Sequence, residues 1–123
     1  MRWSIVLLVG SACKVGTIAD TGACGRSPAL SYDNFGKPFL GQYCTGCHSS
    51  LLPEANRDGA PMGVNFDTYA GVLANAASIP GQATGTDPPM PPGGGPDVSE
   101  IAMLSEWLSC TVIPDSERLK AEQ

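Results

Sequence analysis

The chain has 123 residues, a formal charge of −5, 42% hydrophobic residues and 15% charged ones. That length holds one small domain, the apolar content exceeds that of a disordered chain, and the acidic balance argues against nucleic acid as a partner, because phosphate binding needs a basic surface. Fifteen Gly and eleven Pro leave room for only a few short helices and a thin core, so a staple or a cofactor is expected.

The N-terminus reads as an export signal over residues 1–12. Arg2 supplies positive charge, "WSIVLLV" is apolar, and "GSAC" brings small residues before Cys13. The apolar run is too short to span a bilayer before Lys14 interrupts it. A buried N-terminal helix is the structural alternative. "VGSAC" also resembles the lipobox of bacterial lipoproteins, in which the cysteine is lipidated; here Cys13 takes that position, with Gly10 where leucine is usual. Ordinary cleavage after Ala12 suits the same residues. Export places the cysteines in an oxidising compartment.

Residues 13–30 lack periodicity and read as a flexible tether. A domain of three short helices over 31–112 is expected next. The first helix runs from about Pro38, which suits a first-turn position, and sets Phe39 and Tyr43 on one face. A long irregular loop follows His48. "FDTYAGVLANAAS" reads as a second helix with Asp67 as N-cap, stopped by Pro80. "PDVSEIAMLSEWLSC" reads as a third, opening on a capping box of Asp97 and Glu100 and repeating Ile101, Leu104 and Leu108 at helical spacing. Residues 113–123, "IPDSERLKAEQ", read as a polar, frayed tail. No alternating strand pattern is present, so the fold class is all-α.

"CTGCH", residues 44–48, carries two thiols and the chain's only histidine. A structural zinc site needs four protein ligands; Cys24 or Cys110 would have to complete the set. A thioredoxin-like dithiol expects an α/β setting, and no strands are visible. The third reading is c-type haem attachment at Cys-x-x-Cys-His: two thiols add to the two vinyl groups and the adjacent imidazole meets the iron. A covalent haem also gives short helices an apolar plate to pack against. Phe35, Phe39, Leu40, Phe66, Tyr69, Leu73, Leu104 and Trp107 are candidate lining residues, each equally able to pack on another side chain.

The sixth iron position separates an electron carrier from a sensor or peroxidase-like protein with an open site. Met1 lies in the leader, Met103 at a packing position of the last helix, and Met62 shortly after His48. Met90 stands in "TDPPMPPGGG", a Pro- and Gly-dense run that excludes helix or central strand and holds a thioether on a stiff loop.

"YCTGCHS", "MPPGG" and the final "LSEWLSC" helix together resemble a class I-type bacterial cytochrome c, over roughly 32–110. The resemblance implies a helical fold around one haem c, with Cys44 and Cys47 as thioether-forming cysteines, His48 as proximal ligand and Met90 as distal ligand. It implies a Pro carbonyl accepting the imidazole's hydrogen bond, and Pro61 matches that place. It implies outer-sphere electron transfer in the periplasm or cell envelope, with no enzymatic turnover, and transient redox partners. An acidic carrier of this kind docks on basic patches, with lipid on Cys13 as a possible membrane anchor. The long Gly/Pro-rich segments and the additional cysteines depart from the family pattern.

Five cysteines less two for haem leave Cys13, Cys24 and Cys110. Lipidation of Cys13 leaves Cys24 and Cys110, and a disulfide between them, tying the tether to the end of the last helix, is the expectation; two unpaired thiols are the alternative.

Overall fold

The computed structural model describes residues 24–123. The expected leader 1–12, Cys13 and the start of the tether lie outside the described residues. Within them every regular element is helical and none is a strand, so the chain is all-α there. The elements are α1 (Lys37–Tyr43), α2 (Tyr69–Ala74), α3 (Ile79–Ala83), α4 (Val98–Trp107) and α5 (Ile113–Ala121). Among the described residues there are five α-helices, most of them short, together with three tighter or wider helical turns, where three helices were expected.

The first helical segment begins upstream of Pro38. A wide, π-type turn over Tyr32–Gly36 leads straight into α1. Its start is a reciprocal cap: the Ser31 hydroxyl accepts from the Asn34 amide at 3.1 Å, and the Asn34 side chain accepts from the Ser31 amide at 2.7 Å. Two donors that the helix leaves unmade are satisfied this way. Asn in place of Glu or Gln at the third position hid this start from the sequence.

The second helix is shorter than expected, and its N-cap is Thr68 rather than Asp67. The Thr68 hydroxyl accepts from the Gly71 amide at 3.1 Å. Asp67 instead turns back to the loop and accepts from the Ser50 amide at 2.6 Å. Pro80 does not act as a simple stop: it sits in the first turn of α3, where its missing N–H is tolerated. The capping box of α4 forms as expected, with Asp97 accepting from the Glu100 amide and Glu100 from the Asp97 amide, both at 2.9 Å.

Residues 113–123 differ most from expectation. The chain stays helical through a wide turn at Leu108–Val112 and on into α5. Pro114 cannot donate to the preceding turn, and the wide turn next to it absorbs that loss. The helix is held by tertiary contacts: Tyr69 donates to Asp115 at 2.7 Å, and the buried Ser116 hydroxyl donates to the Leu73 carbonyl at 3.2 Å. A polar sequence thus docks on α2 through two specific hydrogen bonds rather than through an apolar stripe.

The core lies where the first helical segment crosses α4. Phe35, Phe39, Leu40, Val72, Leu104, Trp107, Leu108 and Val112 are all buried. The Phe35 ring meets Trp107 edge-on at 5.9 Å and stacks on Phe39 at 5.3 Å. Gly36 makes the crossing possible, since a Cβ there would lie within 3.0 Å of three carbons of the fully buried Trp107 ring.

The expected pairing of Cys24 with Cys110 is present as a disulfide, with Cα atoms 5.5 Å apart. Around it, Arg26 forms a two-pronged ion pair with Glu106 at 2.9 and 3.0 Å, and Thr111 donates to the Leu30 carbonyl at 3.1 Å. The segment after Cys24 is therefore strapped along the C-terminal helices. No helix among the described residues is long and apolar enough to cross a membrane.

Candidate functional site

The turn that carries "CTGCH" is an extension of α1. The Cys44 amide donates to the Leu40 carbonyl at 2.8 Å, and the His48 amide donates to the Cys44 carbonyl at 2.9 Å. Helical spacing over residues 44 to 48 puts the first thiol and the imidazole on neighbouring positions of one face. From the far side of the loop, the Phe66 amide donates to the His48 carbonyl at 2.9 Å, and the Phe66 ring lies 5.1 Å from the imidazole.

The imidazole is oriented by its other nitrogen. His48 Nδ1 lies 3.1 Å from the Val64 carbonyl oxygen. A carbonyl can only accept, so Nδ1 carries the proton and donates, which leaves the Nε2 lone pair available to a ligand. Pro61, the acceptor implied by the family resemblance, does not take this role; its carbonyl accepts from Arg57 at 2.7 Å instead.

Cys44, Cys47, His48 and Met90 all line one cavity of about 500 Å³. Its walls are largely apolar, with Phe39, Leu40, Phe66 and Leu104 among them, as anticipated. The other four anticipated residues serve elsewhere: Phe35 and Trp107 are buried in the helix crossing, and Tyr69 and Leu73 pack against it. Met90 enters from the Pro-rich loop, whose position is fixed by the Met90 amide donating to the Gln82 carbonyl of α3 at 2.8 Å. Met62 is 53% exposed and Met103 packs on the core. Neither lines the cavity.

Both cysteines of the motif are free thiols, whereas Cys24 and Cys110 are bonded to each other. Burial pushes the Cys44 thiol up to about 11, the reverse of the lowered value that a redox-active dithiol needs to present a thiolate. The disulfide also removes Cys24 and Cys110, either of which would have had to complete a zinc set. Among the described residues, no three His, Cys, Asp or Glu side chains converge as metal ligands would.

Arg57 went unnoticed in the sequence, where it is one cation in a loop. It is fully buried and lines the cavity. Its guanidinium donates to four carbonyls: Ala60 at 3.1 Å, Pro61 at 2.7 Å, Val64 at 3.0 Å, and Ser49 through a short contact. These bonds curl residues 57–64 around the guanidinium and bring the Val64 carbonyl to the imidazole.

Tyr43, also on the cavity wall, donates to the Glu100 carboxylate at 2.9–3.0 Å. That bond connects the end of α1 to the cap of α4. Comparison with protein-family models, curated proteins and solved structures found no match to this chain.

Proposed function

We propose that this chain is a monohaem c-type cytochrome that carries electrons and has no enzymatic turnover. The observation that carries the reading is the gathering of Cys44, Cys47, His48 and Met90 on one apolar cavity. A zinc module has no use for a thioether on a stiff loop, nor a dithiol for an imidazole whose Nδ1–H is tied to a backbone carbonyl.

The residues present fit a haem. Cys44 and Cys47, both free thiols, would hold the group by adding S–H across its two vinyl C=C bonds, an addition that needs no oxidant. His48 offers Nε2 because Nδ1–H is already donated to Val64. Met90 offers a soft, neutral sulfur, which favours ferrous iron over ferric. The aromatic and aliphatic walls offer apolar surface to a bound group, and the cavity falls in the size range of small-molecule sites. A haem held here supplies one-electron ferric/ferrous chemistry without bond making to a substrate. The helical fold, with its first segment crossing α4 through Gly36 and Trp107, is compatible with the cytochrome c fold, which we include in the proposal.

The surrounding assignments belong to the same reading. Export through residues 1–12 delivers the chain to the periplasm or cell envelope, with Cys13 as a site for lipid. The acidic chain docks transiently on basic patches of its redox partners.

Substitution at the methionines tests the ligand set. Met90→Ala retains covalent haem, opens the sixth position to carbon monoxide, lowers the reduction potential and abolishes sulfur-to-iron charge-transfer absorption. Met62→Ala and Met103→Ala leave all of these in place. Loss of the sulfur band in Met62→Ala with retention in Met90→Ala reverses the ligand assignment. Absence of the band in the unsubstituted protein favours an open-site sensor.

A further inference from the structure

Arg57 is buried in full yet takes part in neither of the ion pairs among the described residues. Leaving a charged guanidinium inside a protein is costly unless its donors are met. Here four of its five N–H groups are met, and every acceptor is a backbone carbonyl. Carbonyls compensate hydrogen bonds but bring no negative charge, so a positive charge remains beside the cavity that His48 lines. With its donors spent on the loop, the guanidinium is poorly placed to act as a docking point for an anion.

One of those acceptors is shared. The Val64 carbonyl receives Arg57 Nη2 at 3.0 Å and His48 Nδ1 at 3.1 Å. A carbonyl has two lone pairs and accommodates both donors, but a charged donor draws the oxygen's electron density toward itself. The same oxygen is then a weaker acceptor for the imidazole, and the imidazole gains less basicity from its hydrogen bond than an unshared carbonyl would give it.

We infer that Arg57 is a positioning residue that sets the reduction potential through the Val64 carbonyl. This rests on the haem reading of the cavity. Arg57 acts in two ways with one sign. Its charge disfavours the ferric state, and its claim on Val64 lowers electron donation from His48 to the iron. Both raise the potential. The loop bonds meanwhile hold the Val64 carbonyl against His48 Nδ1 and so fix the orientation of the ring. Lys in its place keeps the charge but cannot reproduce the planar fork, and Met keeps the volume without charge or donors.

The test compares Arg57→Met and Arg57→Lys holoproteins with the unsubstituted chain. It measures haem content, the sulfur-to-iron band, the midpoint potential, and the His48 Nδ1–H resonance in the ferrous protein. Arg57→Met is expected to lower the ferrous-to-ferric ratio at fixed potential by tenfold or more, which is a 59 mV fall for one electron. The sulfur band should persist, and the Nδ1–H resonance should move downfield as Val64 becomes a better acceptor. Arg57→Lys should fall between the two in potential. Should Arg57→Met fail to mature, Arg57→Lys decides alone: a fall of threefold or more in the ratio supports the inference. An unchanged potential and resonance in a matured variant overturns it and leaves Arg57 as a loop staple. An unsubstituted chain that binds no haem overturns the reading beneath it, an outcome that the haem content reports separately.

Discussion

Placing a methyl group on Gly36 tests the helix crossing without reference to any cofactor. The added Cβ falls within 3.0 Å of Cζ2, Cη2 and Cε2 of Trp107, and a ring that is 0% exposed has nowhere to retreat. Overpacking of this kind typically costs about 1–3 kcal/mol. Replacing a helical Gly by Ala opposes it by roughly 0.5–1 kcal/mol through the lower entropy of the unfolded chain. Gly36→Ala should therefore destabilise by about 1–2 kcal/mol, near 10 °C in melting temperature for a domain of this size. Denaturant unfolding gives the value, with the slope m checked for constancy. Trp107→Phe removes the carbons that the methyl strikes, and with them the buried indole N–H that lacks a partner. In that background Gly36→Ala should cost less than half as much, a coupling of about 1 kcal/mol in the double-mutant cycle. Equal costs in the two backgrounds, or a Gly36→Ala chain as stable as its parent, would refute the close crossing.

Replacing both Cys24 and Cys110 by Ser opens a loop with a sequence separation of 86, for which chain entropy sets an upper loss of about 4–5 kcal/mol. Thiol titration of the unfolded, unreduced chain should find neither cysteine reactive, and two reactive thiols there would refute the bridge. Asp67 is held below the ordinary carboxylate value by hydrogen bonds from Ser49 and Ser50. Its stabilisation is present above the unfolded value near 3.8 and is lost as pH falls through the lower folded value. Asp67→Asn should flatten the acid limb of the stability curve, and an unchanged limb counts against the bond. Tyr69→Phe removes the donor to Asp115 and should increase amide exchange in α5 well before it affects α4. Uniform exchange in the two helices would contradict that dependence.

The third helix was legible in the sequence because two independent signals agreed, the Asp97–Glu100 cap and the apolar repeat that follows it. The motif residues were legible because their chemistry is local: Cys44 and His48 need only one turn of helix to come together. The elements that escaped depend on partners distant in sequence. α5 has a polar surface and owes its position to Tyr69 and Leu73, more than 40 residues away. Asp67 resembled an N-cap because Asp commonly is one, yet the Ser50 amide competed for it and Thr68 took the cap. Arg57 left no trace in the pattern at all. A lone arginine in a Gly- and Pro-containing loop reads as solvated, and only the curl of 57–64 converts its donors into a frame for the imidazole.

The central claim is tested most directly by the visible spectrum of the purified ferric protein, made in a host that attaches haem c. The account predicts one covalently retained haem per chain in a low-spin state, with the sulfur-to-iron charge-transfer band that Met90 supplies. A colourless protein containing zinc would contradict it.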